Sequence, residues 1–333
     1  MADYINIRGQ NIEVVASDPA NPTQGQIWYN STSNTLKAFN LTTTGSWATG
    51  GSLPVGIQML AGAGTQTAGL SIGGVTPPAP TGRVATSYEY DGSTWASGGN
   101  LATKRNYLAG CGVQTAALAI NGSPQPGAPK VLTEEYDGTT WTSGGNLADA
   151  RTFASGVGTQ TAGLVWGGGN GAPAQTATEE YNGSSWTAGG NLATAKHSTG
   201  GAGIQTAALC FGGRVPPIGS TNVTEIYNGT SWTPGPNMNT ARRYLSGTGT
   251  QTSALGFGGY GPPGSLTATE LYDGSSWTTD TNLATGKEQG ASANSAPSSA
   301  ALYLGGKAGA SVTANTQEYA AAGAPNTVTI TAS

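Results

Sequence analysis

Short apolar runs, each cut off by glycine, asparagine or aspartate, fill this chain, and the 3.6-residue apolar period of a helix is nowhere present. The runs come in pairs. One follows an Asn-Leu phrase by about seven residues, turns at Gln-Thr and ends in a strand closed by glycine: QTAGLSIGG, QTAALAING, QTAGLVWGG, QTAALCFGG and QTSALGFGG, with SSAALYLGG as a degenerate sixth. The other is built on Tyr-Asp/Asn-Gly-Ser/Thr-Ser/Thr-Trp, as YDGSTW at 90–95, YDGTTW at 136–141, YNGSSW at 181–186, YNGTSW at 227–232 and YDGSSW at 272–277. Asp-Gly and Asn-Gly tolerate the positive φ angles of a type I′ turn, and the flanking aromatic and β-branched residues favour strands, so this phrase predicts a tight hairpin. Paired glycines at a strand end let neighbouring backbones approach closely where strands converge.

The pairs repeat in register. Trp47, Trp95, Trp141, Trp186, Trp232 and Trp277 follow one another at steps of 48, 46, 45, 46 and 45 residues. Two hairpins per step make four strands, the content of one propeller blade. Leucine-rich repeats are too short for this period. The order Gly-Gly, Tyr, Trp, then a basic residue after the short Asn-Leu phrase resembles the Kelch repeat over roughly residues 46–319. It departs from Kelch in carrying Gln-Thr-Ala-Ala-Leu where those repeats usually have a Gly-Lys-Ile-Tyr-Val type of strand. The expected fold class is therefore all-β: a six-bladed, Kelch-like β-propeller at 45–319. The first copy begins at Trp47 and the last, ending at Tyr319, has no tryptophan after it. Residues 45–49 are expected to complete the last blade, closing the ring and removing a vulnerable sheet edge.

Charge adds a polarity to this ring. Arg105, Arg151, Lys196, Arg242 and Lys287 each stand five residues after the Asn of the Asn-Leu phrase, in the connection between blades. Pro-rich loops with Arg83, Lys130, Arg214 and Tyr260 fall on the same face, with Lys104, Arg243 and Lys307 nearby, while glutamates occupy the third strands. Two readings of the cations follow. Each pairs with a strand glutamate, mainly the set two before the tyrosine, because alternation puts that set on the packed face. Alternatively they rim a mouth that binds an anionic glycan or a protein. The Kelch resemblance implies partner binding at this loop-rich face. The candidate contacts are accordingly Arg105, Arg151, Lys196, Arg242, Lys287, Arg83, Arg214 and Tyr260, and the six tryptophans are structural.

Composition narrows the function. Charged residues are only 9% of 333 and the net charge is −4, which gives no pull towards nucleic acid. Glycine, at 54 residues, is about twice average usage, yet the strict repeat argues for order. No signal-like or membrane-spanning apolar stretch is visible, and Cys111 and Cys210 read as small strand residues. The single histidine, His197, reads as a solvated loop residue, and no nucleophile elbow is present. Copper oxidases built on Kelch-like propellers need two histidines. The sialidase Asp-box has one more residue between Asp and Gly than this chain has. Every glutamate except Glu13 and Glu288 belongs to a repeated position, so no singular catalytic pair emerges. The expectation is a protein that is not an enzyme and uses no cofactor or metal.

Residues 1–44 stand outside the repeat, and Asp18-Pro19-Ala20-Asn21-Pro22 reads as a linker. GQIWYNSTSNTLKAF predicts a hairpin with strands 25–30 and 35–39, and it resembles a hairpin of tail-fibre and other structural proteins of tailed bacteriophages. That resemblance implies an attachment module at 1–44 with virion proteins as partners, assembly in the host cytoplasm within a multi-subunit particle, and a propeller serving as decoration or as an adhesin for host-surface polysaccharide. Residues 320–333 form a tail with one strand, TVTIT, that pairs with the N-terminal hairpin or a neighbouring subunit. A cellular Kelch-like interaction scaffold and a glycosidase-like propeller are the alternatives.

Overall fold

The computed structural model describes residues 12–20, 26–41, 44–78, 82–124, 130–169, 173–323 and 325–330. The chain divides into two compact units, Met1–Gly45 with Ala321–Ser333, and Ser46–Ala320.

In the larger unit each tryptophan step folds into one four-stranded antiparallel sheet, and the architecture is all-β and propeller-like. The first sheet is Ala61–Gly64, Gly69–Ile72, Ser87–Tyr90 and Trp95–Ser97; the second is Ala109–Val113, Ala116–Ile120, Thr133–Tyr136 and Trp141–Ser143. The third, fourth and fifth repeat the plan from Ser155 to Asp280. The sixth takes Ala291–Ser292, Leu302–Leu304 and Thr316–Ala320 from the end of the unit and Ser46–Thr49 from its start, with Tyr319 opposite Trp47. Small residues line the first strands, and the second strands, such as AALAI and AALCF, are almost wholly buried. Leu118, Leu164, Leu209 and Leu255 pack between neighbouring sheets without solvent exposure.

The Asp-Gly phrase forms a different turn from the I′ hairpin its sequence suggests. Asp91 keeps a negative φ and only Gly92 is positive, at 93°. The carboxylate of Asp91 accepts hydrogen bonds from the backbone N–H groups of Ser93 and Thr94, at 2.8 and 2.7 Å. Asn182 and Asn228 do the same in their turns, so the side chain caps a four-residue loop and sets its shape. These bonds hold the Asp91 and Asp137 carboxyls well below the usual range, and that of Asp273 at about 2.

Each tryptophan fastens its sheet to the one before. Trp141 Nε1 donates to Ser87 Oγ at 3.0 Å, Trp186 to Thr133 Oγ1 at 2.9 Å, Trp232 to Thr178 Oγ1 at 2.9 Å and Trp277 to Thr224 Oγ1 at 3.1 Å. Trp47 reaches Thr269 Oγ1 at 3.1 Å, and Trp95 reaches Thr316 Oγ1 at 2.9 Å. The Gln of each Gln-Thr turn adds a second fastening: Gln114 Nε2 donates to the carbonyls of Gly69 and Tyr90 in the preceding sheet, and Gln66 to those of Ala301 and Tyr319.

In the smaller unit the strands are Glu13–Val15, Ile27–Asn30, Thr35–Leu41 and Pro325–Ile330. The hairpin begins two residues later than the sequence suggests and its second strand runs two further; Gly25 lies outside the described residues. The C-terminal strand is part of this sheet, antiparallel to Thr35–Leu41. Asp18 is its polar hub. Its carboxylate accepts from Trp28 Nε1, Asn30 Nδ2 and Lys37 Nζ, at 3.1, 2.7 and 2.6 Å, and Trp28 is fully buried. Those donors, with Lys37 foremost, hold the Asp18 carboxyl at about 2.

Candidate ligand-binding site

Five of the crossings from one sheet to the next run through an Asn-Leu-Ala-Thr-like phrase and its basic residue; the crossing into the first sheet, at Leu53–Ile57, has no cation. The cations of that phrase are not on the surface. Arg105, Arg151, Lys196 and Arg242 have no solvent exposure and Lys287 has 1%. Arg105 meets Glu134 at 3.0 Å, Lys196 meets Glu225 at 3.0 Å, Arg242 meets Glu270 at 3.2 Å, and Arg151 pairs with Glu179. These glutamates are the set two before the tyrosine, and each pair lies within one repeat, not between two. The guanidinium of Arg105 also donates to the carbonyls of Asn121 and Leu132, at 2.9 and 3.0 Å, so it ties the Pro-rich loop to its own sheet. Glu134 accepts from Ala102 N at 2.7 Å on its other oxygen. Burial brings the Arg105 and Arg242 guanidiniums down to about 10, against the pull of their carboxylates. Placing these five residues among the ligand contacts is therefore corrected: a ligand at the surface meets none of their charged ends.

The residue two further along is half-buried in five of the six repeats and buried at Ser198. Met59, Tyr107, Phe153, Ser198, Tyr244 and Gln289 occupy one equivalent position, and all six have a positive φ, between 54° and 60°. That region is costly for side chains other than glycine and persists only where the surroundings enforce it. Here the enforcement is a cycle of backbone hydrogen bonds. Tyr107 N donates to Met59 O at 2.9 Å, Phe153 N to Tyr107 O at 3.0 Å, Ser198 N to Phe153 O at 2.9 Å, Tyr244 N to Ser198 O at 2.9 Å, Gln289 N to Tyr244 O at 3.2 Å and Met59 N to Gln289 O at 2.7 Å. The six side chains form a collar at the start of the innermost strands. Paired glycines make room for it: Gly73 and Gly74, with φ of 56° and 107°, bring a backbone N–H to Arg105 O at 2.9 Å where a Cβ would sit 2.8 Å from backbone oxygen.

The collar is uneven. Tyr107, Phe153 and Tyr244 make an aromatic arc, with ring centroids 3.8 Å apart for Tyr107–Phe153 and 6.0 Å for Phe153–Tyr244. Met59, Ser198 and Gln289 hold the remaining positions. Beyond the collar the cavity between the innermost strands, of about 140 Å3, meets the segment that replaces Gln-Thr in the sixth repeat. There Asn294 Nδ2 donates to Gly110 O at 2.6 Å and to Gly156 O at 3.2 Å, crossing between sheets.

The remaining predicted contacts lie around the arc. Arg214 is exposed, and its backbone pairs with His197. Tyr260 is half-buried beneath the guanidinium of Arg243, 4.3 Å from its ring centre. Arg83 is half-buried and donates through Nε to Asn106 Oδ1 at 3.0 Å. His197, expected in solvent, instead packs against Phe153 with centroids 5.4 Å apart. Burial first, then Arg214 and Arg243, bring its imidazole down to about 4. The sequence reading missed the collar, though its signal was present: a varied residue at a fixed offset within a nearly invariant repeat. Among the described residues no group of three His, Cys, Asp or Glu side chains is arranged for a metal ion.

No family model and no curated protein matches the chain. Among solved structures it is similar to that of YjhT, with 13% identity and a TM-score of 0.65, over 80% of this chain and 95% of that one. At that identity the likeness speaks for the propeller-like fold alone.

Proposed function

We propose that this chain is a non-catalytic binding protein: a six-bladed, Kelch-like propeller, closed by Ser46–Thr49, that grips a saccharide at its collar. Support for six blades and closure comes from the unbroken cycle of six collar hydrogen bonds and from the cross-links Trp95–Thr316 and Gln66–Tyr319. The observation that carries the binding reading is the aromatic arc Tyr107–Phe153–Tyr244, held by a backbone cycle that leaves side-chain identity free to vary. Sugar rings present flat apolar faces that stack on such side chains, and varied residues on a rigid repeated frame are where recognition sits. The phage-virion setting rests on the GQIWYNSTSNTLKAF hairpin: the small unit attaches the chain to the particle, and the host-surface polysaccharide is the ligand.

The test is binding of the purified chain to a panel of bacterial surface polysaccharides. Phe153→Ala and Tyr244→Ala are each expected to weaken a positive by about tenfold, given about 0.5–1.5 kcal/mol per aromatic stack plus lost burial. Reducing-sugar release from any of them would replace this reading with a glycosidase. A panel with no binder, together with capture of a protein through the loop face, would favour the interaction scaffold.

A further inference from the structure

Beside the arc lies a second feature, a cleft of about 300 Å3 lined by Phe153, Pro173, His197, Arg214, Pro216 and Tyr244. That volume suits one sugar-sized group rather than a large ligand. Arg214 lines it, and the Arg243 guanidinium lies against its Tyr244 wall, 5.6 Å from the ring centre. Arg214 is exposed; Arg243 lies over Tyr260 and Tyr244 and makes one long hydrogen bond, 3.4 Å to Ser220 Oγ. Among the described residues neither has a carboxylate partner, whereas the four fully buried cations of the repeat each have one. The fold has therefore matched acids to its structural cations and left these two unmatched at the same opening. Their backbones are held by single antiparallel bridges, His197 with Arg214 and Arg243 with Tyr260, each closed by two backbone hydrogen bonds, which presets where the charges stand. The His197 imidazole, whose pKa burial and then both guanidiniums lower, is neutral above that pKa, so it offers a hydrogen bond without adding charge.

From this juxtaposition we infer that the cleft at Phe153, His197 and Tyr244 binds an anionic saccharide unit, with Arg214 and Arg243 on its acidic group and the rings on its apolar face. Guanidinium forks favour planar carboxylates and related oxyanions. This rests on the collar reading above and specifies the ligand class.

His197 is the chain's single histidine, so its imidazole C–H resonances report on the cleft directly. Glucuronate, glucose 6-sulfate and glucose would each be titrated into the full chain. The expected result is a saturable His197 shift with at least one anionic sugar and none with glucose at equal concentration. Arg214→Gln, at an exposed site, is expected to weaken that binding about tenfold, and adding Arg243→Gln to abolish it, with the fold checked by the unchanged remainder of the spectrum. A response to glucuronate alone assigns the carboxylate; a response to both assigns charge over shape. No saturable shift with either anion, an equal response to glucose, or full binding in the Gln variants would overturn the inference. The two readings fail separately: a polysaccharide panel without a binder, beside a saturating glucuronate shift, would remove the proposed function and leave this site standing.

Discussion

Five equivalent cations enter the repeats, but Lys287 differs from the other four. Where those meet Glu134, Glu179, Glu225 and Glu270, the sixth repeat has Gln317, and among the described residues the ammonium of Lys287 finds Asn315 O at 3.4 Å and the face of Tyr303 at 5.4 Å. Burial accordingly lowers its pKa to about 8. The first repeat shows the opposite economy: Ile57 stands where a cation would, and Tyr88 stands where its glutamate would. Two opposite outcomes follow in urea unfolding. Arg151→Met strands Glu179 in the interior and should cost about 3–5 kcal/mol. Lys287→Met removes a buried charge without stranding a partner and should be neutral or stabilising. The pH dependence has a definite sign. Because the folded pKa lies below that of the unfolded chain, the folded state binds fewer protons, and the Lys287 penalty is fully present below pH 8. It is relieved as pH rises towards 10.5, so the advantage of Lys287→Met over wild type, of the order of 3 kcal/mol at most, should shrink across that window. An advantage that does not change between pH 7 and pH 10 would contradict the lowered pKa.

Between elements, the repeats are latched by tyrosines. Tyr136 Oη donates to Glu89 at 2.5 Å and accepts from Gly99 N at 3.1 Å, and Tyr90 does the same with Glu318 and Gly51 N, at 2.5 and 3.1 Å. The fourth-to-fifth junction lacks both halves. Ile226 replaces the glutamate, Pro236 has no N–H to offer, and Tyr272 Oη turns to Gly274 O at 3.0 Å. Ile226→Glu should restore the acceptor and stabilise the chain by about 1 kcal/mol. In a Tyr272→Phe background the gain should vanish, and a double-mutant cycle with no coupling would sink the idea. Such latches mark what the sequence could disclose. The repeated four-stranded plan and the glutamate set chosen by the four paired cations follow from period and alternation, because both recur from copy to copy. Exposure did not follow. The same spacing permits a cation that rims a mouth and one that turns inward along its own sheet, and only packing separates them. The turns were misjudged because an Asp or Asn side chain capping two N–H groups outweighs the I′ preference of the dipeptide. The collar was hidden by its own variability: Met, Tyr, Phe, Ser, Tyr and Gln share a backbone state and nothing else.

At the scale of the whole molecule the decisive strand is Ser46–Thr49. It pairs with Thr316–Ala320 across nearly the full length of the larger unit, and Trp47 packs on Phe257 and Tyr319 with centroids 5.0 and 5.2 Å away. A strand that merely decorated an edge would add little, since the sixth sheet already has three strands and its own core. A strand that completes a ring gives the sixth sheet its fourth strand and couples the first and last repeats, so its loss should be felt everywhere. Trp186 supplies the internal standard, because it occupies the same position within an uninterrupted repeat and makes the same hydroxyl contact. If Ser46–Thr49 closes the ring, Trp47→Ala should cost as much as Trp186→Ala, about 3–5 kcal/mol, and should raise hydrogen exchange in the first strands of the first and fifth repeats as well as in the sixth. Removing residues 1–49 should then lower Tm far more than removing 1–45, although the two differ by four residues. A Trp47→Ala variant that unfolds like wild type, with faster exchange confined to Thr316–Ala320, would make the sixth sheet an open end and leave the collar cycle to hold the ring alone.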